Sequence, residues 1–218
     1  MANTSHNFGF RPKAYFTGAP WSGQTHLYGF STSQANNVYK GDMVKFDNTN
    51  RATPLADAYA PQIPVLIPLV AASTTTVFRG VVVGFVPEPE YVQSATASLG
   101  LMYRKASTAR YAWVVDDYSV VFEAEEHSTN SYVSDSSNAV NFGCDVVYTA
   151  GNQTTGISAV ALDGSTATTG KLPWRLMWNT QRPDNFNYVA ADSVSNIHWD
   201  CMVMNGDLGS VGTVIVGL

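Results

Sequence analysis

The sequence predicts an all-β protein, an antiparallel β-barrel or sandwich with an extended N-terminal arm and little helix. Three observations predict it. Short runs that are β-branched or alternate in polarity recur along the chain, each ended by Gly, Pro, Asn or Asp. No stretch carries a convincing 3.6-residue apolar period. Ser, Thr, Asn, Gly and aromatic residues occupy the space that charged residues hold elsewhere: the charged fraction is 13%, against roughly 25% in an ordinary soluble domain.

Residues 1–36 read as the arm. Phe8, Phe10, Tyr15, Phe16, Trp21, Tyr28 and Phe30 are scattered among polar and turn-forming residues, without the spacing of a helix or a strand. A signal peptide needs a basic start and then a continuous apolar stretch, which this pattern lacks. The expectation is an extended segment lying across the rest of the chain or across a neighbouring subunit. Its aromatics would be anchors, and Gly9, Gly18, Gly23 and Gly29 its bends.

Residues 37–218 read as a single β-rich body, with room for an insertion around 87–109. Asn37 to Asp47 alternates polar and apolar around Gly41-Asp42, a strand with a bulge or tight turn. Pro54, Pro61, Pro64 and Pro68 keep the next segment extended but irregular, because each lacks the N–H of a central strand. Val77 to Val86 is continuously β-branched, fit for a strand buried on both faces, with bends at Gly80 and Gly84. Tyr91 to Ala109 divides between a polar loop and a strand near Leu99 to Arg104. Arg110 to Val115 and Ser119 to Glu126 are expected to form a hairpin across Asp116-Asp117. Ser128 to Phe142 has room for one short helix. Cys144 to Tyr148, Ile157 to Leu162, Leu172 to Trp178, Trp199 to Met204 and Val211 to Val216 complete roughly nine strands.

Composition narrows function. The net charge of -5 and the dispersal of the twelve Lys and Arg along the chain oppose nucleic-acid binding. The longest apolar runs, Val65 to Ala72 and Val81 to Val86, fall far short of the ~20 residues a membrane helix needs. Cys144 and Cys201 read as reduced, buried thiols and not as a disulfide framework. Few charges with 12% aromatics suit a surface spent on contacts, as in oligomers and shells.

No catalytic residue, cofactor or metal site is assigned. Gly206-Asp207-Leu208-Gly209-Ser210 resembles a serine-protease nucleophile loop, but Leu208 stands at the nucleophile position. His6, His26, His127 and His198 share no metal-ligand spacing. Asp116, Asp117, Glu123, Glu125, Glu126 and His127 could gather round Ca²⁺, though a turn and a solvated strand face account for them more simply.

Several elements occur in an order that resembles a known family. They are Met1-Ala2-Asn3 with Phe8-Gly9-Phe10-Arg11-Pro12, then Lys40-Gly41-Asp42-Met43-Val44-Lys45, then Gly80 to Phe85. Val115 to Glu123, Asn152 to Ser158 and Arg182-Pro183-Asp184-Asn185 follow. Together they resemble the cement or decoration proteins of tailed-bacteriophage capsids; the segment Pro54 to Pro68 and the end of the chain depart from that pattern. The resemblance implies a non-enzymatic virion protein that binds the outer capsid surface, assembled in the host cytoplasm. Its partners would be the major capsid protein and itself, as a homodimer or homotrimer. On this reading Phe8, Phe10, Arg11, Tyr15, Trp21 and Tyr28 bind the partner. The alternative is a receptor- or glycan-binding module of a spike or fibre, with Trp174, Trp178 and Trp199 stacking on sugars.

Overall fold

The computed structural model describes residues 5–6, 8–47, 63–70, 77–86, 102–127, 140–169, 172–180, 182 and 196–206. These residues hold eleven strands and no helix. In chain order the strands are β1 (Phe10–Tyr15), β2 (His26–Phe30), β3 (Met43–Phe46), β4 (Leu66–Pro68), β5 (Gly80–Phe85) and β6 (Arg110–Val115). Then come β7 (Val120–Glu125), β8 (Gly143–Val147), β9 (Ala161–Thr168), β10 (Trp174–Asn179) and β11 (His198–Val203).

They form two antiparallel sheets packed face to face, a β-sandwich. One has six strands in the order β1-β7-β11-β10-β8-β9, the other five in the order β2-β6-β5-β3-β4. In the smaller sheet the Gly29 N–H donates to the Pro64 carbonyl at 3.0 Å, and Gly29 bridges Val65. The last strand is thereby tied back to the first, so this sheet curls round a core of its own built from Tyr28, Phe30, Val44, Leu66, Val82 and Val114.

The main core lies between the sheets. Alternation delivers it: Val120, Phe122 and Ala124 of β7 and Trp199, Cys201 and Val203 of β11 point inward, meeting Met43, Val81 and Val115 of the other sheet. Trp174 sits at its centre, stacked on Phe10 with centroids 4.0 Å apart and planes at 6°, and met on edge by Phe122 at 5.4 Å.

One expectation is corrected. The strands expected to form a hairpin exist as β6 and β7 but do not pair. β6 lies between β2 and β5, whereas β7 lies between β1 and β11. Residues 116–119 therefore cross from one sheet to the other, with the Asp117 side chain accepting from the Ser119 N–H at 2.8 Å to fix the corner. Asp116 is drawn inward by Tyr28 and Arg79, which turns the chain away from a hairpin path. Within residues 1–36, β1 pairs with β7 over Phe10 to Tyr15 and β2 pairs with β6 over His26 to Phe30, so this segment supplies one strand to each sheet.

Residues 87–101 of the expected insertion, the segment 128–139, the protease-like residues 207–210 and the strand expected at Val211 to Val216 lie outside the described residues.

Candidate functional site

Phe16 to Pro20 form a turn that folds back on the free edge of β1. The Tyr15 N–H donates to the Ala19 carbonyl at 2.8 Å, and the Trp21 N–H donates to the Lys13 carbonyl at 3.3 Å. Pro12, which has no N–H to offer, sits on this edge strand at no cost to a ladder. The turn sets Trp21 beside Arg11 and Pro12. Opposite them, the register shift between Val82 and Gly84 places Gly84 against Trp113 of β6.

Between these walls runs a groove of about 590 Å³. Arg11, Pro12 and Trp21 line one side and Val83, Gly84 and Trp113 the other, with Gly23, Thr25 and Lys40 completing it. Lys40 is placed by a turn whose Gly41 holds φ +98°: the Lys40 N–H donates to the Gly156 carbonyl, and the Lys40 carbonyl accepts from the Ser158 N–H at 2.9 Å. Both cations of the lining stand without a carboxylate in it.

A second polar centre lies on the outer face of the six-stranded sheet. Glu123, 4% exposed, accepts from Arg11 and Arg182 at 2.7 Å each and lies 3.1 Å from His198 Nδ1. Burial pushes its carboxyl up, but the hydrogen bonds from His198 and Arg11 and the charges of Arg11 and Arg182 outweigh this and hold it at about 2. Next to it Asp200 accepts from Lys13 at 2.6 Å, the Trp178 indole at 2.7 Å and the Thr180 hydroxyl at 2.6 Å. A third carboxylate, Asp116, is held below its usual range despite burial by hydrogen bonds from Tyr28 and His26 and by the charge of Arg79. Of the carboxylates considered for Ca²⁺, Glu123 and Asp116 are thus committed to separate cation partners, while Asp117 accepts from the Ser119 N–H, Glu125 from the His6 N–H and Glu126 from the Trp199 indole. Among the described residues no group of His, Cys, Asp and Glu could hold a metal ion.

The six residues expected to bind a partner fall into three settings. Arg11 and Trp21 line the groove. Phe8, half-buried, lies under the Arg11 guanidinium at 4.8 Å and against His198 at 5.4 Å, while Tyr15 donates its hydroxyl to Gln24 Oε1 at 3.2 Å. Phe10 and Tyr28 are buried in the chain's own cores, and Tyr28 is committed to Asp116 at 2.7 Å. A partner cannot reach those two, because inward alternation on β1 and β2 has spent them on folding. Of the tryptophans considered for sugar stacking, Trp174 and Trp199 are core residues and Trp178 is exposed.

The sequence reading missed Lys40, Gly84 and Trp113. Trp113 was within reach of it: Ala112 and Val114 face inward, so alternation turns Trp113 outward.

Comparison with protein-family models, with curated proteins and with solved structures finds no match.

Proposed function

We propose that the protein is a structural component of a phage virion. It binds the outer surface of the capsid lattice, stabilises contacts between capsomers, and works as a homodimer or homotrimer. One observation carries this reading. Among the described residues, four of the scarce cations are paired within the body, Arg11 and Arg182 with Glu123, Lys13 with Asp200 and Arg79 with Asp116. Meanwhile Phe16, Met102, Trp113 and Trp178 stand exposed, at 58%, 63%, 41% and 42%. Large aromatic and methionine side chains at a charge-poor surface are the composition of an interface centre, where a few such residues contribute ~2 kcal/mol or more each.

The test is co-sedimentation of the purified protein with capsids that lack it, alongside its mass by light scattering. Saturable binding at a fixed ratio to the major capsid protein, weakened by Phe16→Ser with Met102→Ser at unchanged melting temperature, is the expected result. Absence of binding at micromolar protein would overturn the reading.

A further inference from the structure

We propose that the groove between β1 and the β5–β6 pair is a docking site for a short acidic segment of another protein, in which Asp or Glu alternates with apolar side chains. The proposal rests on the reading of the chain as an interaction protein only for which protein supplies the segment.

Charge complementarity comes first. Arg11 and Lys40 line the groove, and among the described residues no carboxylate does. Lys40 is exposed and, among the described residues, makes no ion pair. The Arg11 guanidinium, more than half exposed, gives one nitrogen to Glu123 and keeps further donors for a carboxylate. The walls select what accompanies the anion. Trp21, Trp113, Pro12 and Val83 are flat or apolar apart from the two indole N–H groups, and among the described residues Thr25 contributes the one hydroxyl of the lining. A saccharide, with its many hydroxyls, would find few partners there, whereas aliphatic or aromatic side chains would be covered on both sides. A long polyanion would meet the net charge of -5 over the rest of the chain; a short segment answers only to the local cations.

Gly84 supplies an independent observation. At Gly80, Gly9 and Gly151 a Cβ would collide with neighbouring atoms, so packing explains those glycines. At Gly84 a Cβ would meet nothing nearer than the Trp113 ring at 3.8 Å, and the residue has no positive φ. Neither packing nor φ requires glycine there. A glycine in a strand marks a bulge or a place where another chain approaches closely; Gly84 stands at the register shift of β5 and leaves the floor of the groove open to such an approach.

The same observation provides a clean probe. Gly84→Val fits a strand, fills the floor and leaves the body intact, as its melting temperature would confirm. The experiment is binding of the full chain to an array of hexapeptides combining Asp or Glu with Phe, Tyr, Leu and Ile, beside a matched array carrying Asn and Gln. The expected result is binding to acidic peptides, about tenfold weaker for the amide versions and for Lys40→Gln, as loss of one charge-assisted contact implies. Gly84→Val should abolish it. Equal binding to both arrays, no binding to either, or undiminished binding by Gly84→Val would overturn the proposal. So would binding confined to an oligouronate tested in parallel. Capsid co-sedimentation that succeeds while the arrays fail would sink the groove and leave the virion reading standing.

Discussion

Gly9 and Gly41 meet backbone to backbone: a Cβ on Gly9 would lie 2.5 Å from the Gly41 carbonyl oxygen, and one on Gly41 would collide with the Phe8 carbonyl. That carbonyl of Gly41 accepts from the Phe10 N–H at 3.0 Å, while the Gly41 N–H donates to the Val82 carbonyl at 2.7 Å. Ser158 closes the third side of the contact. Three widely separated sequence elements, Phe8-Gly9-Phe10, Lys40-Gly41-Asp42 and Asn152 to Ser158, are thus joined at one point. Their glycines are there because backbones touch and because φ is positive at Gly9, Gly41 and Gly156.

Gly41→Ala should therefore destabilise the fold by about 2–4 kcal/mol, combining left-handed strain with a backbone collision. Denaturant unfolding measures this. A loss below half a kcal/mol would mean that the contact is looser than its geometry.

Phe10 is expected to act through stability and not through a partner. Phe10→Ala should cost about 3–5 kcal/mol, since it opens a cavity beside Trp174 in the main core. Near-ultraviolet circular dichroism would show the loss of the stacked indole environment. For the same reason, deletion of residues 2 to 30 should unfold the body, because it removes a paired strand from each sheet. A deletion that still melts cooperatively near the intact chain's temperature would refute this.

Some of this was legible in the chain and some was not. The strand Val120–Glu125 alternates cleanly and was readable. β1 was not, because Pro12 interrupts its pattern and its outward residues are the charged Arg11 and Lys13, satisfied by Glu123 and Asp200 across the sheet. The false hairpin arose because adjacency along the chain does not tell which sheet a strand joins; the inward pull on Asp116 from Tyr28 and Arg79, remote in sequence, decides that. The groove was hidden for a like reason. It draws on residues near 11, 21, 40, 84 and 113, and their meeting is a product of topology.

Arg104 is a buried cation with no carboxylate partner among the described residues. Its guanidinium and Nε donate to the carbonyls of Ser31, Gln34, Asn36 and Thr108 at 2.6–3.0 Å, and it lies over the Phe30 ring at 5.8 Å. Burial lowers its pKa to about 10. It ties the segment after β2 to the segment before β6. Arg104→Ala should cost roughly 3 kcal/mol or more by orphaning buried carbonyls. Arg104→Lys should recover little, because one ammonium cannot span four acceptors in a planar fork. Full rescue by lysine would show that charge alone matters.

Asp42 should make stability fall as pH rises from the ordinary carboxylate value to about 7. Its carboxyl is 1% exposed, and burial raises its pKa to about 7, against the lowering effect of hydrogen bonds from Ser158 and the Tyr39 N–H. Among the described residues no cation is paired with it, and the nearby Tyr148 hydroxyl, itself raised to about 12 by burial, stays neutral. Below the ordinary carboxylate value both folded and unfolded chains hold the proton, so Asp42 adds no pH dependence. Between that value and pH 7 the unfolded chain ionises first, and the fold loses on the order of 4 kcal/mol from this group before levelling off. Glu123 and Asp116, held low, act oppositely, and their contribution is lost only in acid. Asp42→Asn keeps an acceptor for the Tyr39 N–H and removes the charge. It should raise the melting temperature at pH 8, leave it near the parent value at pH 4, and flatten the profile between. An unchanged profile would mean that Asp42 ionises in the folded protein with its ordinary pKa.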